Sequence, residues 1–286
     1  MPVATLTFVD RLAAEVERKR SQLVVGLDPV ADLMPVELRG DAARFCCAIV
    51  DAVAPHAVAV KPQLAFFEAL GAQGMIAFEQ VCAYARNAGL LVIADGKRGD
   101  VGSTARAYAG AYLEGEPPRA DALTVNPWLG RESVEPYLSA ARRYGAGIFV
   151  LVKTSNAGGD IQDVELSNGR PVWQHVATQV DDWGAELVGD VGLSQVGAVV
   201  GATHPRAIAD ARRLMPRAVL LLPGLGAQGA VPSDLARAFQ SGPASALANA
   251  SRSVIYAYRA TGGDFRQAAG AEAARLQREL WIASGW

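Results

Sequence analysis

The sequence predicts an α/β fold, a single-domain (β/α)8 TIM barrel spanning residues 1–286. Three observations predict it. Short β-branched apolar runs recur along the whole chain, hydrophobic almost without interruption, as strands buried on both faces are. Helical patterns separate them, as the crossover between parallel strands requires. Eight such units in 286 residues favour a closed barrel over an open doubly wound sheet, because (β/α)8 barrels run to about 250 residues.

The runs fall at 23–28, 58–61, 90–95, 122–126, 148–153, 196–201, 218–223 and 253–257, each ending in a polar residue, Gly or Pro, or close to one. Between them, residues 42–53 and 66–87 carry apolar positions at three- and four-residue spacing, and Gly89 ends the second pattern. Residues 133–144 and 205–214 read the same way, and 265–282 form a closing helix. The longest interval separates the fifth and sixth strands. It holds a Gly- and Asp-rich stretch, 156–170, expected as a surface insertion.

Composition narrows the function. Hydrophobic residues make up 51% of the chain and charged residues 20%, enough for a large core. The 27 Lys+Arg against 29 Asp+Glu leave a net charge of −2, so no nucleic-acid partner is expected. The odd set Cys46, Cys47 and Cys82 lacks C-x-x-C spacing, which argues against a disulfide framework and for a reducing, cytoplasmic setting. Asp10, Glu15 and Glu17 interrupt any apolar leader, and Asp51, Pro55 and His56 break the most apolar stretch, so no membrane span is expected. His56, His175 and His204 are scattered singly, and no metal is expected. No G-x-x-x-x-G-K-[ST], no G-x-G-x-x-G after the first strand and no G-x-S-x-G occurs.

Chemistry in such a barrel collects at the C-terminal ends of the strands. Those ends carry Asp28, Lys61, Asp95 with Lys97, Asn126, Lys153 with Thr154 and Ser155, then Thr203 and His204. Lysines and aspartates are seldom buried without partners, so their convergence on one mouth predicts an alternating charge network. In Asp95-Gly96-Lys97-Arg98-Gly99-Asp100, strand periodicity puts Asp95 and Lys97 on one face. Asp100 lies beyond the strand, with Thr104 one helical turn further on. A lysine held between two carboxylates keeps its proton and is placed to deliver it to a carbanion. A structural salt bridge at a strand end would show the same D-x-K pattern.

The segment Pro223-Gly224-Leu225-Gly226-Ala227-Gln228-Gly229 follows the seventh strand, where barrels bind phosphate through closely approaching backbone N–H groups. Arg252, read as standing just before the eighth strand, supplies a cation for the dianion.

Together with Gly26-Leu27-Asp28-Pro29, Lys61-Pro62-Gln63 and Val152-Lys153-Thr154-Ser155-Asn156, these segments resemble orotidine 5′-phosphate decarboxylase, most closely its longer bacterial (type 2) branch. The resemblance runs in order from Leu23 to about Ala257. It implies a homodimer with shared active sites that converts orotidine 5′-phosphate to UMP and CO2 in pyrimidine biosynthesis, without metal or organic cofactor. Carried over by motif, Asp28 and Lys61 contact the ribose, and Gln63 joins the substrate-binding set. Lys61, Asp95 and Lys97 form the catalytic network, with Asp100 and Thr104 reaching in from the neighbouring subunit. Thr154 or Ser155, with Asn156 a third choice, addresses the pyrimidine; Pro223, Gly224, Gly226, Gln228 and Arg252 hold the phosphate. The Gly-Arg ending that shorter members carry on the eighth strand is missing from 254–259, leaving Arg259 as the alternative to Arg252.

Overall fold

The computed structural model describes residues 6–156, 158–226 and 229–286. Its strands are β1 (Leu23–Leu27), β2 (Ala59–Pro62), β3 (Leu91–Arg98), β4 (Ala122–Val125), β5 (Gly147–Lys153), β6 (Ser194–Val200), β7 (Ala218–Pro223) and β8 (Ala246–Ala250). They pair in parallel and in sequence order, and β8 returns to β1 through Val24↔Asn249, closing the barrel.

Alternation along each strand sorts the core into two layers. Val24, Ala59, Leu91, Ile93, Ala122, Phe149, Val219, Leu221 and Leu247 fill the barrel interior. Their neighbours, such as Leu23, Val25, Val60, Val92 and Leu220, face the surrounding helices.

Those helices are α1 (Phe8–Lys19), α2 (Ala42–Val53), α3 (Leu64–Glu68), α4 (Gly71–Asn87), α5 (Gly102–Leu113), α6 (Arg131–Tyr144), α7 (Val172–Gly184), α8 (Pro205–Leu214), α9 (Arg252–Ile255), α10 (Tyr258–Thr261) and α11 (Phe265–Ser284). Asp41 caps α2 by accepting from the Arg44 N–H, and Asp264 caps α11 through the N–H groups of Arg266 and Gln267. Helix α1 closes the floor of the barrel. Phe8, Val9, Leu12 and Val16 join the interior layer, and Phe8 meets Phe149 edge-on at 5.9 Å between ring centroids. The mouth at the opposite end is left to polar residues.

Two expectations are corrected. The pattern read as one helix over 66–87 divides into α3 and α4 at Gly71, whose φ of +66° favours glycine. The eighth strand is Ala246–Ala250, not 253–257, which is mostly helix α9. Ala-Leu-Ala-Asn-Ala lacks the β-branched residues of Val254-Ile255, yet it lies between β7 and β1, where closure demands a strand. Arg252 therefore follows β8 instead of preceding it. Helices α1, α5 and α7 had not been singled out from the sequence. Helix α5 is built mainly from small residues and buries only Ala105, Ala109, Tyr112 and Leu113, a weak periodic signal.

Candidate active site

The interior-facing positions at the strand ends converge on Asp95, which is 5% exposed. Lys61, the inward residue of β2, places Nζ 2.5 Å from Asp95 Oδ2. Lys97 places Nζ 2.6 Å from Oδ1 of the same carboxylate. Gln63 donates to Oδ2 at 3.1 Å and the Thr124 hydroxyl to Oδ1 at 2.9 Å. Burial pushes the Asp95 carboxyl up, but Lys61 and then Lys97 outweigh it and hold the group well below the usual carboxylate range. Removing Lys61 and Asp95 from bulk water opposes folding unless the geometry is tight. Lys61 is buried, whereas the Lys97 side chain keeps 45% of its surface open to the mouth.

Asp28, directly after β1, lies within electrostatic reach of both Lys61 and Asp95. Burial raises its carboxyl above the ordinary value, against the opposing pull of Lys61. Its Oδ1 is buried with no hydrogen-bond partner among the described residues. Tyr256 holds this segment: its hydroxyl donates to the Asp28 carbonyl and accepts from the Val30 N–H, both at 2.7 Å.

Strand β3 ends at Arg98, which still pairs with Val125 of β4. Asp100 accepts from the Val101 N–H at 2.8 Å and forms no ion pair with a described residue of its own chain. It precedes α5, so no helical turn joins it to Thr104, which is exposed in the first turn of that helix. Nearby, Val101 and Trp128 are 44% and 68% exposed.

At the other edge of the mouth, β7 ends in Pro223, which pairs with Asn249 of β8. Gly224 and Gly226 follow with φ of +116° and +76°, backbone that an L side chain rarely adopts. A Cβ on Gly226 would meet Ser253 Oγ at 2.8 Å, so the glycine turn lies against the first residues of α9, beside Arg252. Arg252 is exposed and close enough to act on the Asp28 charge. Arg259 points elsewhere, toward the Asp32 carbonyl at 3.4 Å. Gln228 lies outside the described residues.

Thr154 is engaged by the connection that follows it, with Gln162 Oε1 accepting from its N–H. Ser155 packs against Gly201, where a Cβ would come within 2.9 Å of the serine Cβ. Thr124, Tyr256 and Gln162 were not identified from the sequence. Period-two alternation from Ala122 would have marked Thr124 as inward-facing; nothing local marks the other two. Among the described residues, no group of three or more His, Cys, Asp or Glu side chains is placed to hold a metal ion. No described helix is long and apolar enough to cross a membrane.

A closed barrel with glycine turns and a Lys–Asp–Lys cluster at the C-terminal ends of its strands defines the class: (β/α)8 barrels that present their chemistry on that face. The chain belongs to the orotidine 5′-phosphate decarboxylase / HUMPS family, whose model matches residues 21–261. It is 49% identical to the orotidine 5′-phosphate decarboxylase of Deinococcus radiodurans, over 93% of this chain and 95% of that one. To the protein of the same name from Rhodopirellula baltica it is 44% identical, over 89% and 90% of the two chains. The structure of Leishmania donovani OMP decarboxylase is similar with a TM-score of 0.77 and 31% identity, over 97% of this chain and 99% of that one.

Proposed function

We propose that this chain decarboxylates orotidine 5′-phosphate to UMP and CO2, as a homodimer and without a cofactor, in the pyrimidine biosynthesis of the cytoplasm. The observation that carries the reading is the pair of ammonium groups, Lys61 and Lys97, on opposite oxygens of the buried Asp95 in a chain of this family.

In the reaction the bond from C6 to the carboxylate breaks, CO2 leaves, and the electron pair stays on C6. No cofactor delocalises it, so the site must supply on the order of 20 kcal/mol of stabilisation. Lys97 is the proton donor: its ammonium stabilises the developing charge and then transfers the proton to C6. Asp95 holds that ammonium in place, and Lys61 keeps Asp95 ionised. Asp28, with its unpartnered buried oxygen, accepts from a ribose hydroxyl, and the Lys61 ammonium donates to a ribose oxygen. The glycine turn, Gln228 and Arg252 take the phosphate, and binding energy there organises the site around the distant ring. Asp100 and Thr104, which follow β3, complete the site of the partner subunit.

The test is the fall in orotidine 5′-phosphate absorbance on adding purified protein, with and without chelator. Turnover undiminished by chelator supports the reading. Activity that requires magnesium assigns the D-x-K-x-x-D element to a metal-assisted sugar-phosphate reaction instead.

A further inference from the structure

The connection between β5 and α7 folds back onto the strand it leaves. Gln162 Oε1 accepts from the Thr154 N–H at 2.9 Å, and Gln162 Nε2 donates to Thr154 Oγ1 at 2.8 Å. The Thr154 hydroxyl donates its own proton to Asn156 Oδ1 at 2.6 Å. One amide thus takes the N–H of Thr154 and one lone pair of its hydroxyl, while Asn156 takes the hydroxyl's only proton.

A second anchor lies beside the first. Lys153, 8% exposed, ends 2.6 Å from Oδ2 of Asp163, the residue after Gln162. Both anchoring residues belong to the 3-10 turn Gly159–Asp163. From the opposite side, the Gly201 N–H donates to the Lys153 carbonyl at 2.7 Å. A Cβ on Gly201 would meet the Ser155 N at 3.0 Å, so the end of β5 is gripped between β6 and the turn.

We propose that Gln162 is a positioning residue for the base end of the ligand site, an inference that rests on the orotidine 5′-phosphate decarboxylase reading. With the Thr154 N–H committed to Gln162 and its hydroxyl proton to Asn156, Thr154 keeps no free donor for a ligand. By fixing the backbone at Thr154, Gln162 sets the place of Ser155, which addresses the pyrimidine. Lys153–Asp163 keeps the turn seated, because the buried Lys153 ammonium would otherwise lose its counter-charge, while Asp163 stays largely exposed.

The experiment compares the parent with Gln162→Ala, Thr154→Val, the double variant and Gln162→Glu. It reads kcat and KM for orotidine 5′-phosphate and the dissociation constants of UMP and ribose 5-phosphate. Gln162→Ala is expected to raise KM and the UMP constant about tenfold, the effect of losing one or two neutral hydrogen bonds. Ribose 5-phosphate, which has no base, should bind as it does to the parent. The double variant should be no worse than Gln162→Ala, since the two residues act as one unit. Gln162→Glu, which keeps the acceptor for the Thr154 N–H, should recover part of the loss and serves if the alanine variant does not fold. Two results would overturn the proposal. One is an unchanged ratio of UMP to ribose 5-phosphate affinity in both Gln162 variants. The other is a Thr154→Val loss equally large with and without Gln162, which would make Thr154 itself the contact. A parent that neither turns over orotidine 5′-phosphate nor binds UMP instead removes the underlying reading.

Discussion

Lys97 Nζ meets Asp95 Oδ1 at 2.6 Å although the two residues sit two apart on one strand, and the Lys97 backbone takes the left-handed φ of +46°. A non-glycine residue in that region costs on the order of 1 kcal/mol. The conformation is held by Thr124, whose hydroxyl accepts from the Lys97 N–H at 2.9 Å and donates to Asp95 at the same distance. Strain, buried charge and hydrogen bonds therefore meet at one carboxylate, as expected where a fold is kept for chemistry more than for stability.

Lys97→Ala should lower turnover by at least about a thousandfold, since proton donor and electrostatic stabiliser are lost together. The folded variant should still bind UMP, measurable by calorimetry. Turnover within tenfold of the parent would remove Lys97 from the donor role.

Arg252→Ala should weaken UMP about 10- to 100-fold, the range for a charge-assisted bond, and leave uridine nearly unaffected. Arg259→Ala should change neither, because that side chain is directed at the Asp32 carbonyl. The reverse pattern would move the phosphate site to Arg259.

Asp100→Asn and Lys97→Ala homodimers should each be nearly inactive. Mixed under verified subunit exchange, they should form heterodimers with one intact site, restoring about a quarter of all sites. No recovery would mean that the carboxylate acts within its own chain, or that the protein is not an exchanging dimer.

Asp28 and Asp95 respond to pH with opposite sign. The raised Asp28 carboxyl favours the fold while protonated. That contribution is lost as pH rises from the unfolded value of about 3.9 through the higher folded one. The depressed Asp95 carboxyl contributes fully above the unfolded value, and its share disappears as pH falls through the lower folded one. Asp28→Asn should therefore raise Tm at pH 7 while weakening ribose-bearing ligands. A lower Tm at that pH would show that the Lys61 attraction outweighs burial.

Arg212, 3% exposed, has no carboxylate partner among the described residues. It donates instead to the carbonyls of Ala238, Met215, Pro216, Ala218 and Ser245, tying α8 to the starts of β7 and β8. Burial lowers its guanidinium to about 10. Arg212→Ala strands those carbonyls and should cost about 3 kcal/mol, on the order of 6–12 °C in Tm. Activity per folded molecule should stay near the parent value. A Tm unchanged within 1–2 °C, about the effect of a neutral surface substitution, would contradict this.

The fold class and the residues that gather at the mouth are legible along the chain. Period-two burial and strand-ending charges are local properties, and Asp28, Lys61, Asp95 and Lys97 declare themselves by standing where apolar runs stop. Tertiary structure alone decided the eighth strand. Residues 246–250 have the composition of a helix and become a strand because β7 and β1 leave unpaired backbone on both sides. That placement moved Arg252 to the far end of β8, beside the glycine turn and Asp28. The fold also decided a partner of Thr154, an amide eight residues further along that reaches it only because the connection folds back. Propensity and periodicity report on neighbours along the chain; which distant amide or strand edge satisfies a backbone group is fixed only when the barrel closes.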